Sequence, residues 1–164
     1  MERDQPSHAP GVRAIFTLGT DRRTEEDFIE ILMDYEVTAV MDVRSFPESK
    51  IETFRRGYLE DLLRKEGLEY HYLGAELGGF RRGGYEAYTL TGGFRAGVER
   101  IESMAGRFRS VILCAEKFPW KCHRRWIARE LGRRGWRVVH IIDKGRIWEA
   151  GGSAKARPRN RGDR

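Results

Sequence analysis

Five short apolar runs recur along this chain: Val12–Leu18, Val37–Val43, Leu68–Leu73, Ser110–Cys114 and Arg137–Ile142. Each is separated from the next by enough residues for at least one helix. Parallel strands need a crossover of a dozen or more residues, most often a helix, so this alternation points to a parallel sheet. The run Val37-Thr-Ala-Val-Met-Asp42-Val43 is nearly all apolar, as expected of a strand covered on both faces. The pattern predicts an α/β fold, a three-layer sandwich with a mostly parallel, roughly five-stranded central sheet.

The intervening segments carry helix signals. Thr24 precedes Glu25, Glu26 and Asp27, a hydroxyl cap with acids in the first turn. Phe28, Ile31, Leu32 and Tyr35 follow at helical spacing. Phe54, Tyr58, Leu59, Leu62 and Leu63 mark a second helix, ended by Gly67. A third is expected over Phe94–Met104. A fourth is expected over Cys122–Arg134, with Trp126, Ile127 and Leu131 inward and a basic outer face. Gly74–Gly93 reads as a long, Gly-rich, irregular loop containing Leu77-Gly78-Gly79 and Arg81-Arg82, and loops of this length are commonly functional or mobile. Ile147 and Trp148 close the folded part.

Composition narrows the class. The 164 residues are 40% hydrophobic and 34% charged, which suits one soluble domain, placed at residues 12–150 between a flexible leader (1–11) and a disordered basic tail (151–164). No apolar run approaches a membrane span, so no membrane partner is expected. Two cysteines and a polar N-terminus suit a reducing cytoplasm. The net charge is +6. The tail alone holds Lys155, Arg157, Arg159, Arg161 and Arg164 against Asp163, and so accounts for most of that excess.

Reactive residue types gather at the carboxyl ends of the strands, where open α/β sheets bind ligands. After the second strand come Asp42, Arg44 and Ser45, and after the third come Gly78 and Gly79. The fourth strand leads into Cys114-Ala-Glu116-Lys-Phe-Pro119-Trp-Lys-Cys122-His123-Arg124. A helix N-terminus and adjacent cations lower a thiol pKa, so Cys122 is the expected nucleophile and Cys114 its partner. His123 is suited to orienting the thiol, shuttling a proton or binding a phosphate. Glu116 is a candidate general base if buried. Arg44 and Arg124 would together form an anion pocket, and Asp42 is expected to anchor loop amides. Cys114, Cys122, His123 and His71 are zinc-ligand types but lack paired C-x-x-C spacing, and no nucleotide-binding glycine motif is present. Neither metal nor cofactor is expected.

The chain resembles the family called domain of unknown function 488. The matching pieces are Thr17-Leu-Gly19-Thr20, Asp42-Val-Arg44-Ser-Phe-Pro47-Glu-Ser49, Leu77-Gly78-Gly79, and the long segment from Cys114 to Arg124. The family often has His where this chain has Thr20. The resemblance implies no settled activity, only a suggested association with DNA repair. Asp42-Val43-Arg44 after a strand, and Ser110–Cys114 before a loop and helix, are also similar in layout to rhodanese-like domains. The expectation is a thiol-dependent transferase or hydrolase acting on a small anionic substrate. The alternative is a non-catalytic nucleic-acid-binding module that uses the basic tail and the Arg-rich helix face.

Overall fold

A computed structural model describes residues 13–150. The expected leader and basic tail lie outside the described residues. In chain order the elements are β1 (Arg13–Gly19), α1 (Glu25–Asp34), β2 (Ala39–Asp42), α2 (Arg56–Lys65), β3 (Glu69–Tyr72), α3 (Gly74–Leu77), α4 (Tyr85–Tyr88), α5 (Gly92–Ala105), β4 (Ser110–Cys114), α6 (Arg124–Arg133), β5 (Trp136–Asp143) and β6 (Arg146–Trp148). They form an α/β fold around one six-stranded sheet, in the order β3-β2-β4-β1-β5-β6. The first five strands in that order pair in parallel, and β6 runs antiparallel to β5. No described helix is long and apolar enough to cross a membrane.

Strand alternation sends successive side chains to opposite faces, and two apolar clusters result. Phe16, Leu18, Val40, Val111 and Leu113 pack with Phe28, Ile31 and Leu32 of α1 and with Leu59 and Leu63 of α2. Ile15, Met41 and Ile112 pack with Phe94, Val98 and Ile101 of α5 and with Ile127 and Leu131 of α6. Every residue of β2 is buried, which explains why its sequence does not alternate. Helices α1, α2 and α6 have ten residues each and would be marginal alone in water. Burial of three side chains from each holds them to the sheet. The α1 cap forms as the sequence implies, with Thr24 Oγ1 accepting from the Asp27 N–H at 3.0 Å.

Three expectations are corrected. The Gly-rich stretch 74–93 is ordered, and contains α3, α4 and the start of α5. The Tyr85 hydroxyl donates to the Leu77 carbonyl at 2.8 Å and the Tyr88 hydroxyl to the Glu76 carbonyl at 2.6 Å. Aromatic pins, which have no period in sequence, thus replace helical repetition there. The sheet has a sixth strand, because Gly145 turns the chain at a φ of 73° and returns Ile147 against Ile141. The fourth expected helix begins late. A 3-10 turn covers Pro119–Lys121, the Cys122 N–H bonds the Pro119 carbonyl at 3.1 Å, and Cys122 itself is extended.

Candidate functional site

Cys114 ends β4 and is 1% exposed. The 3-10 turn brings Cys122 back over it, so that the two sulfurs lie 2.9 Å apart. Both are free thiols. Arg124, the first residue of α6, shares the buried face of that helix with Ile127 and Leu131 and is 0% exposed. Its Nη1 donates to Cys114 Sγ at 2.6 Å and to the Glu116 carbonyl at 2.8 Å, and its Nη2 donates to the Lys117 carbonyl at 3.0 Å. Only its Nε lacks a partner. The Arg124 backbone N–H points at Cys122 Sγ, 3.4 Å away.

These contacts divide the two thiols. Burial pushes the Cys114 thiol up, but the hydrogen bond from Cys122 and the charge and hydrogen bond of Arg124 outweigh it, leaving Cys114 at about 7. Cys122 is driven upward by that same bond, by burial and by the charge of Cys114. These contacts favour the charged form of Cys114 over that of Cys122. Cys122 precedes the helix in an extended conformation, and the nearby guanidinium is bonded to its neighbour. Interacting groups this close titrate as a pair.

His123 completes the cluster. Its Nε2 lies 3.0 Å from the Val43 carbonyl, which can only accept, so Nε2 carries the proton. Burial, with lesser help from the charges of Arg124 and Arg81, lowers the His123 pKa and keeps the ring neutral. Its Nδ1 lone pair then faces Cys122 Sγ at 3.6 Å. A side chain at Gly79 would approach that Nδ1 to 2.9 Å, and one at Gly78 would collide with Ser45 Oγ. The two glycines let the loop after α3 close over the site, where the Phe80 N–H bonds Ser45 Oγ at 3.2 Å.

The cysteines border a cleft of about 440 Å³. Cys122, His123, Ser45, Gly79, Arg44 and Glu116 line it, joined by Thr20 and by Phe46, Ser49, Phe80, Ala115 and Lys121, the last five not expected as site residues from the sequence. Phe46 and Phe80 come from different loops, are largely exposed, and pair at 5.4 Å between ring centroids. An apolar residue inside each polar loop was the available signal.

The two arginines expected to form the anion pocket are both engaged within the protein. Arg44 Nε and Nη2 each bond the Asp42 carboxylate at 2.8 Å, and Nη1 bonds the Phe54 carbonyl at 2.8 Å. Asp42 also accepts from the Arg44 backbone N–H at 3.1 Å, which is the anchoring role expected of it, and from the Tyr70 hydroxyl at 2.6 Å. Arg44 is thus paired with Asp42, and Arg124 with Cys114 Sγ and two carbonyls. The Glu116 side chain is exposed, and its carbonyl rather than its carboxylate builds the site. Arg81 is likewise committed, donating to the Gly78 and Ala75 carbonyls and lying 3.9 Å over the Tyr88 ring. His71 bonds Glu69 on β3. Among the described residues no group of three or more His, Cys, Asp or Glu is placed to hold a metal ion.

The family model for domain of unknown function DUF488 matches residues 24–131. The chain belongs to the DUF488 family. The DUF488 match runs from the cap of α1 to the last core residue of α6, and so includes both cysteines, His123, Arg124 and the Asp42–Arg44 pair. No curated protein and no solved structure matches the chain. These comparisons give no support to a rhodanese-like kinship.

Proposed function

We propose that the protein is a thiol-dependent transferase or hydrolase acting on a small anionic substrate in the 440 Å³ cleft. The observation that carries this reading is the sulfur pair, 2.9 Å apart, with a buried guanidinium 2.6 Å from the inner sulfur. A thiolate is the reactive form of cysteine, and this arrangement favours one near neutral pH. Cys122 meets the substrate, because it lines the cleft and Cys114 does not. The neutral His123 Nδ1, or the Cys114 thiolate, takes the Cys122 proton as the sulfur attacks. Lys121, at the cleft beside Cys122, supplies positive charge not already spent on an internal partner.

The test is alkylation by iodoacetamide as a function of pH, with each cysteine read separately by mass spectrometry. Cys122 is expected to label first, because it lines the cleft and Cys114 is buried, and its pH profile should follow the coupled pair rather than an isolated thiol. His123→Ala is expected to slow labelling at neutral pH. Arg124→Gln is expected to move the midpoint up toward the ordinary thiol range. Two slowly labelled thiols with ordinary midpoints would remove this reading.

One observation favours the alternative, a non-catalytic nucleic-acid-binding role. A larger hollow of about 920 Å³ lies between α6 and the β5–β6 edge, away from the sulfurs. All four tryptophans of the chain line it, with Arg125, Arg129, Arg133 and Arg137 against Glu149. Planar rings beside cations suit single-stranded nucleic acid. Arg125 and Arg129 have no carboxylate partner among the described residues; each lies 4.9 Å from the Trp126 ring centroid.

A further inference from the structure

A reactive thiol can attack carbon, phosphorus or sulfur, and the second sulfur discriminates among these. An acyl or phosphoryl group carried by Cys122 would place its electrophilic atom one bond beyond Sγ. The Cys114 thiolate would then only pass the group from one sulfur to the other. A sulfur-linked group makes Cys122 Sγ itself the electrophile, and that atom lies 2.9 Å from Cys114 Sγ. Cys114 is closed to the cleft, so it meets no substrate directly, and Arg124 holds it as the nucleophile from behind. An open cleft of about 440 Å³ is of small-molecule size.

We propose that Cys122 and Cys114 are the attacking and resolving thiols of a thiol–disulfide exchange, and that the substrate is a low-molecular-weight disulfide. The proposal rests on the reactive-thiol reading above and narrows its substrate class. In the first step the Cys122 proton passes to His123 Nδ1. The Cys122 thiolate then attacks one sulfur of the substrate, the substrate S–S bond breaks, and the first leaving thiolate takes the proton from His123. In the second step the Cys114 thiolate attacks Cys122 Sγ. A Cys114–Cys122 bond forms, the mixed disulfide breaks, and the second leaving thiolate takes a proton from water. The substrate is reduced by two electrons and the cysteine pair is oxidised by two. An external thiol then restores the dithiol.

The experiment uses the full chain, reduced and then exposed to glutathione disulfide, with acid quench and intact-mass and peptide analysis. The wild-type protein should become lighter by two hydrogens, with both cysteines protected from alkylation. Cys114→Ser should stop at one glutathione held on Cys122, and Cys122→Ser should form neither product. A stable mixed disulfide in the wild type, or no reaction with glutathione disulfide, overturns the proposal. The wild-type mass keeps the test decisive even if a variant folds poorly. Parallel iodoacetamide labelling separates the two ideas. If Cys122 alkylates readily near neutral pH but forms no internal disulfide, only the exchange falls. If it does neither, the reactive-thiol reading falls as well.

Discussion

Burying a guanidinium costs several kcal/mol unless its charge and its N–H groups are met. Arg124 meets them with Cys114 Sγ and the carbonyls of Glu116 and Lys117, so the same side chain favours the charged form of Cys114 and ties down the loop between the two cysteines. Its charge reaches further. Burial, assisted by the Arg124 charge, drives His140 from 6.5 to about 3, and its Nδ1 lies 2.6 Å from Thr17 Oγ1. The folded protein therefore keeps His140 neutral while the unfolded chain protonates it near its ordinary value. Stability from this group is fully present above that value and falls as pH drops toward the folded value, by up to about 1.4 kcal/mol per pH unit. Urea midpoints measured from pH 7 down to pH 5 should show that slope, and His140→Asn should flatten it. The cysteines, His123 and Arg124 were legible as a cluster because they crowd one short segment. The arginine's inward direction was legible too, since Arg124, Ile127 and Leu131 share one helical stripe, but its charge argued for an exposed, ligand-facing role. Which sulfur the Arg124 guanidinium contacts was not legible, because that depends on the path of the backbone between the cysteines.

At the level of elements, the strand ends behave differently from one another. The end of β4 carries the thiols, while the end of β2 is an internal lock in which Asp42 is clasped by Arg44 and Tyr70. Removing one partner of a buried ion pair leaves the other charge uncompensated, at a cost of about 3–5 kcal/mol. Losing the Tyr70 hydroxyl removes one hydrogen bond to that charged carboxylate, which costs about 1.5–3 kcal/mol. Asp42→Asn should therefore destabilise the protein by about 2 kcal/mol more than Tyr70→Phe in chemical denaturation, and similar losses would show that the carboxylate is not the centre of the lock. Strands and capped helices were readable because period and caps are local properties. The segment 74–93 was not. Its order comes from Tyr85 and Tyr88 reaching back to carbonyls of α3 and from glycines that permit close approach to Ser45 and His123, and all of these contacts are set by tertiary structure.

For the whole molecule, the charge excess and the tryptophan-lined hollow give the nucleic-acid reading a direct test. Binding to a single-stranded oligonucleotide should weaken with salt, with a double-logarithmic slope of about −1.4 or steeper if two or more phosphates are contacted. Arg125→Glu with Arg129→Glu should lower affinity at least tenfold, and Cys122→Ser should leave it unchanged. A flat salt dependence would dismiss this reading. The α/β class was visible in the alternation of apolar runs, whereas the order of the strands was not, because pairing joins segments far apart in sequence. That order bears on how the chain is made. β1 precedes the other described strands in the chain, yet its neighbours are β4 and β5, with Phe16 beside Val111 and Val139. β2 and β3 can pair early, but β1 has no native neighbour until β4 has left the ribosome. The nascent chain must carry this apolar strand without its sheet neighbours while residues 20–109 are made, and that interval is when chaperone binding would matter most.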